Sequence, residues 1–314
     1  MKKKEEPSLS REQAEIIFGI SDLIETVGLG KDQNGSFVEL GIKGTISDSR
    51  IGKLNEFLNQ ISLSNPKFSD RTKLTDFVAS FESLLDLYPT EFRAEETYPM
   101  IQPGAAVKNL YELSGRGGTI SAIAKNSDKT YLMSCSHVLK GERENEFESD
   151  IITYSTFRSV TLNDQKIGAV VQNGISAGLD IALAEIDPEF LEYTSSKIFN
   201  TDIVPGPVSP PKLGYGIMKY GRVTKCTNGY IYLTDMYFRD SKLKMFQVNP
   251  LNDTGVIASN GDSGSLVLSA APSDYLSVLG VIFRQDRNIK NGIRYTSAVC
   301  IPMSSILEYF NINI

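Results

Sequence analysis

Apolar side chains in the first hundred residues recur at the three- and four-residue spacing of an amphipathic helix. The first of three such stripes begins at a Ser10–Gln13 capping-box pattern and ends at Gly28, and a short strand is predicted at 36–40. We predict a helix-rich α+β extension over residues 1–100, with the stripes in its core. The stripes are Ile16, Ile17, Ile20, Leu23, Ile24 and Val27; Ile51, Leu54, Phe57, Leu58 and Ile61; and Leu74, Phe77, Val78, Phe81, Leu84 and Leu85.

From about Gly104 the pattern changes to short runs rich in Val, Ile, Tyr and Thr, separated by Gly, Asn and Asp. Such runs predict a mainly β region, a barrel or a sandwich. A proline-rich stretch at 205–211 suits a crossing between two β-domains, 101–204 and 205–314, and residues 302–310 predict a C-terminal helix with Pro302 in its first turn. The predicted strands are 119–123, 131–134, 167–171, 180–184, 229–233, 266–268 and 278–283.

Charge and composition narrow the function classes. The 314 residues include 32 Lys and Arg against 38 Asp and Glu, a net charge of −6, so the chain lacks the basic footprint of a nucleic-acid or anionic-membrane binder. No signal-peptide apolar stretch follows the basic start, and no apolar run approaches the roughly 18 residues of a membrane span. The three cysteines are few and widely spaced. We expect a cytoplasmic protein in a reducing compartment.

One histidine limits the possible chemistry, because any mechanism that needs an imidazole must use His137. The candidate nucleophile is Ser263 in Gly261-Asp262-Ser263-Gly264-Ser265, where glycines let the backbone turn its amide N–H groups toward the hydroxyl. The simpler interpretation is an ordinary turn, since Gly, Asp and Ser are common turn residues. By the same reasoning, His137 could be a satisfied core histidine and Asp180 a strand-edge acid.

The order of residues along the chain separates the hydrolase classes. An α/β-hydrolase needs Gly-x-Ser-x-Gly and a later histidine, but position 265 is Ser and no histidine follows Ser263. A subtilisin-like order would require an acid before His137; Asp128 is available, but nothing around it resembles that family. The order His137, Asp180, Ser263 is the chymotrypsin order.

Three segments resemble the catalytic blocks of trypsin/chymotrypsin-fold serine endopeptidases: Leu-Met-Ser-Cys-Ser-His-Val-Leu at 132–139, Asp-Ile-Ala-Leu at 180–183 and Gly-Asp-Ser-Gly-Ser at 261–265. Segments at 101–104, 118–120 and 219–224 are similar to the intracellular NAL1-like trypsin-like peptidases. The resemblance spans roughly residues 100–314. It implies a chymotrypsin-like double β-barrel, a peptide or protein substrate and no cofactor.

The resemblance also implies a role for each residue. Ser263 would attack the scissile carbonyl, His137 would take its proton, and Asp180 would orient the imidazole. The backbone N–H groups of Gly261 and Ser263 would form the oxyanion hole.

Supporting positions follow from the same resemblance. No cleavage site that would free an activating N-terminal amine precedes the first barrel, so another cation must pair with Asp262. In bacterial relatives an Arg in a Gly-Arg-x-Thr block does so, and Gly-Arg-Val-Thr at 221–224 matches that block, so the resemblance implies an Arg222–Asp262 ion pair. The pocket-base position falls at Ile257, which implies an apolar P1 residue. Ile282 and Phe283 stand in the wall where secreted relatives carry Ser and Gly, and Phe283 could narrow or close the cleft.

The sequence is also compatible with other interpretations of its function. An inert protease-fold module could bind a peptide or partner, and a protease effector in bacterial defence or stress response could be regulated by a partner through residues 1–100. A metal site built from His137 and the cysteines lacks Cys-x-x-Cys spacing, so we expect no metal. Cys226 and Cys300 are weak nucleophile candidates, because neither lies in a small-residue turn.

Overall fold

The structure is a computed structural model that describes residues 8–32, 35–43, 46–61, 66–70, 100–109, 117–140, 151–154, 165–239, 241–251, 255–271, 276–290 and 293–314. Within this part of the chain, no helix is long and apolar enough to cross a membrane. Two compact units are present. The smaller comprises Met1–Glu91 and Tyr232–Gln247, and the larger comprises Phe92–Ile231 and Val248–Ile314. The domain boundaries predicted after residues 100 and 204 remain predictions.

The described elements are mostly strands, with four α-helices and two short 3-10 turns. The helices are α1 (Arg11–Ile20), α2 (Asp48–Gln60), α3 (Ser136–Leu139) and α4 (Met303–Phe310). The strands are β1 (Ile24–Asp32), β2 (Gly35–Ile42), β3 (Lys67–Asp70), β4 (Ala106–Asn109), β5 (Gly118–Thr119), β6 (Ala122–Asn126), β7 (Lys129–Ser134), β8 (Ile151–Tyr154), β9 (Gln165–Gly174), β10 (Leu179–Ile186), β11 (Gly216–Gly221), β12 (Lys225–Phe238), β13 (Met245–Pro250), β14 (Leu266–Ser269), β15 (Val278–Lys290) and β16 (Ile293–Pro302).

In the smaller unit, the start of α1 agrees with the sequence pattern and its end does not. Ser10 and Gln13 form the predicted capping box. The helix stops at Ile20, however, and residues 24–32 form β1, so the prediction of one helix up to Gly28 was wrong. The reason is strand pairing on both sides, since β1 forms a hairpin with β2 and also pairs with the second half of β12. The Arg239 guanidinium donates to the carbonyl oxygens of Phe18, Ser21 and Ile24, which satisfies backbone acceptors around the end of α1.

The other predictions for this unit fall into two groups. The second apolar stripe forms α2, and the predicted strand at 36–40 lies in β2, so both are confirmed. The third stripe, at 74–85, lies outside the described residues. The α+β character of the extension is therefore established from β1, β2, β3, α1 and α2.

The larger unit contains a seven-stranded antiparallel sheet in the order β5-β4-β8-β9-β10-β7-β6. The second sheet runs β11-β14-β15-β16-β13-β12, and β11 also pairs with β12 through residues 216–221 and 225–230, which closes six strands into a barrel. The remainder of β12, residues 233–238, pairs with β1 in the smaller unit. One 14-residue strand therefore contributes to both units.

The predicted fold class, mainly β with an N-terminal α+β extension and a C-terminal helix, is confirmed by these elements. The C-terminal helix is α4, although Pro302 takes its N-cap position rather than the first turn. Side chains of β7, β10 and β14 are buried along nearly their whole length and form much of the core. The candidate site residues lie at the ends of these buried strands.

Candidate active site

His137 and Asp180 are brought together by two neighbouring strands. His137 lies in the short helix that follows β7, Asp180 lies near the start of β10, and the two strands pair antiparallel. Asp180 Oδ2 is 2.6 Å from His137 Nδ1, and Asp180 Oδ1 accepts the backbone N–H of His137 at 3.1 Å. Because a carboxylate only accepts hydrogen bonds, this contact assigns the ring proton to Nδ1 and leaves Nε2 as the basic nitrogen.

The pair is open to the outside of the molecule. The His137 side chain is 49% exposed and that of Asp180 is 29% exposed. An imidazole that is oriented on one side and accessible on the other can accept a proton from an approaching group and return it.

The loop that carries Ser263 is held on two sides. On one side, Gly264 N–H donates to Ile282 O at 2.7 Å in β15. On the other, Thr119 N–H in β5 donates to Ser263 O at 2.8 Å. Gly261 and Gly264 have φ values of +94° and +92°, and a Cβ at Gly264 would overlap the carbonyl oxygen of Thr119. Glycine is therefore required at position 264 by both backbone conformation and space.

Two backbone amides in the turn from Gly261 to Ser265 make no hydrogen bond within the described part of the chain. The N–H groups of Asp262, Gly264 and Ser265 donate to Ser259 O, Ile282 O and Asp262 O. Those of Gly261 and Ser263 donate to no group among the residues that the structure describes. Backbone N–H groups are normally paired, so these two, beside a half-buried serine, are available to a ligand. The oxyanion hole predicted at Gly261 and Ser263 remains a prediction.

The His137 segment and the Ser263 loop lie side by side. A Cβ placed on Gly118 would be 2.7 Å from Ser263 O and 2.8 Å from Cγ1 of Val138, the residue after His137. Ile282 O, which accepts the N–H of Gly264, also accepts the thiol of Cys135 at 3.4 Å. Within the described chain, no hydrogen bond joins the Ser263 hydroxyl to the imidazole.

Asp262 is fixed by an ion pair with Lys219 rather than with the predicted Arg222. Lys219 Nζ lies 3.0 Å from Asp262 Oδ2, and both side chains are 0% exposed. Strand β11 alternates, so Ile217, Lys219 and Gly221 are buried. Arg222 follows the end of this strand, and its guanidinium lies against Gly117. Sequence analysis missed Lys219, and the alternation of the strand is the signal that could have found it.

Every acceptor position of Asp262 is occupied. The carboxylate accepts backbone N–H groups from Val223 at 2.8 Å, Thr224 at 3.2 Å and Ser259 at 3.0 Å, and the Thr224 hydroxyl at 2.6 Å. Lys219 Nζ also donates to the Thr224 hydroxyl. Burial lowers the pKa of the Lys219 ammonium, and the Asp262 carboxylate opposes that effect.

The predicted pocket residues lie next to the nucleophile loop. Ile257 is fully buried, its N–H donates to Thr296 Oγ1 at 3.1 Å, and its carbonyl accepts the Thr227 hydroxyl at 2.8 Å. Ile282 is buried, and half-buried Phe283 lies where the pairing register of β15 with β16 shifts. That Ile257, Ile282 and Phe283 contact a substrate remains a prediction.

Three possible metal ligands lie close together at the same place. Donor atoms of Cys135, His137 and Asp180 lie within 4.8 Å of one another. The arrangement does not suit a resident ion, because the thiol is buried, burial raises its pKa well above the ordinary value, and Nδ1 already bonds the carboxylate. Cys226 and Cys300 are free and do not join this group.

No protein-family model and no curated protein matches this sequence. Solved structures with a similar backbone include Thermobifida fusca protease A, with TM-score 0.47 and 14% identity, covering 68% of this chain and 97% of that chain. Nocardiopsis protease has a TM-score of 0.46 and 15% identity, and Cellulomonas bogoriensis chymotrypsin has a TM-score of 0.46 and 14% identity. Each comparison covers 68% of this chain and 97% of the other. Values this low neither assign the chain to a family nor transfer an activity to it.

Proposed function

We propose that this protein is a serine endopeptidase with His137, Asp180 and Ser263 as its catalytic residues. The observation that carries the proposal is the pair of unengaged N–H groups at Gly261 and Ser263, because they flank the only hydroxyl in the Gly-Asp-Ser-Gly turn that a substrate can reach. The oriented His137–Asp180 pair in the adjacent segment supplies a base of the right kind.

In the proposed reaction, Ser263 Oγ bonds to the carbonyl carbon of the scissile peptide while its proton moves to His137 Nε2. The carbonyl oxygen becomes negative and accepts the N–H groups of Gly261 and Ser263. His137 then gives the proton to the leaving amine as the C–N bond breaks, which leaves an acyl-enzyme. Water, deprotonated by the same imidazole, releases the acid and restores the Ser263 hydroxyl.

Asp180 and Asp262 support this reaction in different ways. Asp180 holds Nδ1–H and stabilises the imidazolium that forms during each proton transfer. Asp262 holds the backbone from 259 to 265 in the shape that presents the two amides, through its own bonds to Ser259, Val223 and Lys219.

The test is covalent labelling with a fluorophosphonate probe. We expect labelling at Ser263 in the native chain and none in Ser263→Ala, with kcat falling by roughly 10⁶-fold. Ser265→Ala is the matched control, since that hydroxyl lies two residues away but is buried, and it should keep its label. Absence of labelling in the native chain would contradict the proposal.

A second candidate is a protease-fold module that binds a peptide without cutting it. It is favoured by one observation: among the described residues, Ser263 Oγ makes no hydrogen bond to the imidazole. Such bonds are often long before substrate arrives, so the peptidase remains the preferred proposal. The second candidate requires unlabelled Ser263 together with unchanged peptide affinity in Ser263→Ala.

Three finer proposals come from the sequence alone: similarity of short segments to the NAL1-like peptidases, a cytoplasmic location suggested by the cysteine content and the lack of a signal-peptide pattern, and a regulatory partner for residues 1–100. Cell fractionation tests the location, and recovery of the protein outside the cytoplasm would contradict it. Crosslinking in native cells tests the partner, and crosslinks confined to residues beyond 100 would contradict it.

A further inference from the structure

Thr119 contacts the turn from Gly261 to Ser265 with both of its hydrogen-bond donors. Its backbone N–H donates to Ser263 O at 2.8 Å, and its hydroxyl donates to Gly261 O at 3.0 Å. These are the two residues whose N–H groups make no hydrogen bond within the described part of the chain. The same hydroxyl accepts the backbone N–H of Arg222 at 3.0 Å. One residue therefore joins three segments: β5, this turn and the turn that follows β11.

Thr119 is itself held in place. It is 0% exposed, and its carbonyl oxygen accepts the hydroxyl of Ser134, a buried residue at the end of β7, at 2.7 Å. The N–H, the hydroxyl and the carbonyl of Thr119 are all hydrogen-bonded, so none of them needs water. A buried and fully hydrogen-bonded residue has little freedom to move, which makes it a firm support for the turn.

Gly261 depends on a support of this kind. Its φ of +94° lies in the left-handed region, and glycine adopts positive and negative φ about equally readily. The residue's own conformational preference therefore does not fix the direction of its peptide groups. Among the described residues, the Thr119 hydroxyl is the only donor to Gly261 O. A hydrogen bond from outside the turn thus fixes the carbonyl of this glycine.

We infer that Thr119 is a positioning residue, whose hydroxyl holds Gly261 where its N–H can bind the negatively charged oxygen of the reaction. The inference rests on the proposed peptidase function. In this role Thr119 does not touch the substrate and acts through Gly261. Its hydroxyl should matter more for the transition state than for substrate binding, because the carbonyl oxygen becomes negative only as Ser263 Oγ bonds to the carbonyl carbon.

The test replaces the Thr119 hydroxyl by a methyl group. Thr119→Val keeps the shape of the side chain and the N–H bond to Ser263 O, but it removes the bond to Gly261 O. Loss of one oxyanion donor costs about 10²–10³-fold in kcat, and displacement of a donor should cost less. We therefore expect kcat to fall roughly 10- to 100-fold with KM little changed. The rate of fluorophosphonate labelling should fall by a similar factor, because the phosphoryl oxygen uses the same N–H groups.

Two matched variants separate positioning from simple stabilisation. Thr119→Ser keeps a hydroxyl, so it should retain most of the native kcat and labelling rate. Thr201→Val is the control for loss of a threonine hydroxyl, because Thr201 Oγ1 also donates to a carbonyl, that of Ile198 at 2.9 Å, and also accepts a backbone N–H, that of Ile203 at 3.0 Å. It should lower the urea midpoint of unfolding, as Thr119→Val does, and leave kcat and the labelling rate at their native values.

The outcomes distinguish this proposal from the peptidase proposal. Native kcat and labelling rate in Thr119→Val would overturn the positioning role and leave the peptidase proposal standing. Equal losses in Thr119→Ser and Thr119→Val would also overturn it, since the hydroxyl would then not be the group that acts. Thr119→Ala serves the same comparison if the valine variant does not fold, and it should show the same fall in kcat. No labelling of the native chain would overturn both proposals.

Discussion

The candidate site contains two paired carboxylates in opposite surroundings. Asp180 pairs with His137 where both side chains are partly exposed, at 29% and 49%. Asp262 pairs with Lys219 where both are at 0%. In the proposed reaction the first pair takes up and releases a proton, since one imidazole nitrogen remains accessible. The second is fully enclosed and saturated with donors, so it serves to hold the loop in shape. The two carboxylates can therefore have separate tasks: Asp262 holds the loop in shape although it lies directly beside Ser263 in the sequence.

The largest expected effect comes from altering the exposed pair. Asp180→Asn keeps the size of the side chain but no longer holds Nδ1–H as a carboxylate does, so kcat should fall about 10⁴-fold, equivalent to about 5 kcal/mol in the barrier. The melting temperature should stay close to native, because the site is partly solvated. Asp202→Asn, at a fully exposed ion pair with Lys197, is the control and should change neither quantity. Unfolding of Asp180→Asn would contradict the proposed division of tasks.

Altering the buried pair should act on stability. Lys219→Met leaves the Asp262 carboxylate buried without its cation, and we expect the free energy of unfolding to fall by about 3–5 kcal/mol in urea denaturation. Lys129→Met is the matched control, because Lys129 forms an exposed pair with Glu185 and should contribute about 0–1 kcal/mol.

A second change sharpens the same comparison. Adding Asp262→Asn to Lys219→Met removes the stranded charge, so part of the lost stability should return. Greater instability in the double variant than in Lys219→Met would indicate that the backbone donors to Asp262 matter more than the ion pair.

A smaller effect is expected from Gly221→Ala, which tests how tightly the buried pair is packed. A Cβ there would overlap the Ser265 hydroxyl and lie 2.5 Å from Asp262 Oδ1, so unfolding should become easier by about 1–3 kcal/mol. Gly216→Ala is the control in the same strand, where the nearest atom would be 3.7 Å away. Equal destabilisation by the two changes would contradict tight packing.

The smallest effect should come from Ser265→Ala. The Ser265 hydroxyl is buried and has no hydrogen-bond partner among the described residues. Removing it abolishes no bond and relieves a desolvated polar group, so the free energy of unfolding should stay within about 1 kcal/mol of native or rise. A larger loss, measured by the same denaturation curve, would show that the hydroxyl supports Lys219 or Asp262.

Local patterns predicted some parts of the molecule and missed others for physical reasons. The capping box at Ser10, helix α2 and most predicted strands follow from neighbouring residues and were confirmed. Strand β1 was mistaken for helix because its apolar spacing fits a helix, whereas pairing with β2 on one side and with β12, about 200 positions away, on the other makes it a strand. Strands β3, β4, β8, β11, β13 and β16 were not predicted either.

In the candidate site, too, the sequence predicted one contact and missed another. His137 and Asp180 are in contact, as the order and types of the residues predicted. The partner of Asp262 was assigned to Arg222 by motif, whereas burial decides in favour of Lys219. Alternate residues of β11 are buried, and Lys219 is at one of the buried positions. A motif match carries no information about the face of the strand on which a residue lies.

Strand β12 limits how far the chain can be truncated from its N-terminus. Its residues 233–238 pair with β1, which precedes them by about two hundred positions. A truncated chain that begins near residue 100 would lack β1, and the unpaired N–H and C=O groups of residues 233–238 would form an exposed edge strand. Exposed edge strands promote aggregation. Within the extension, β1 thus covers an edge of β12 that would otherwise lie open.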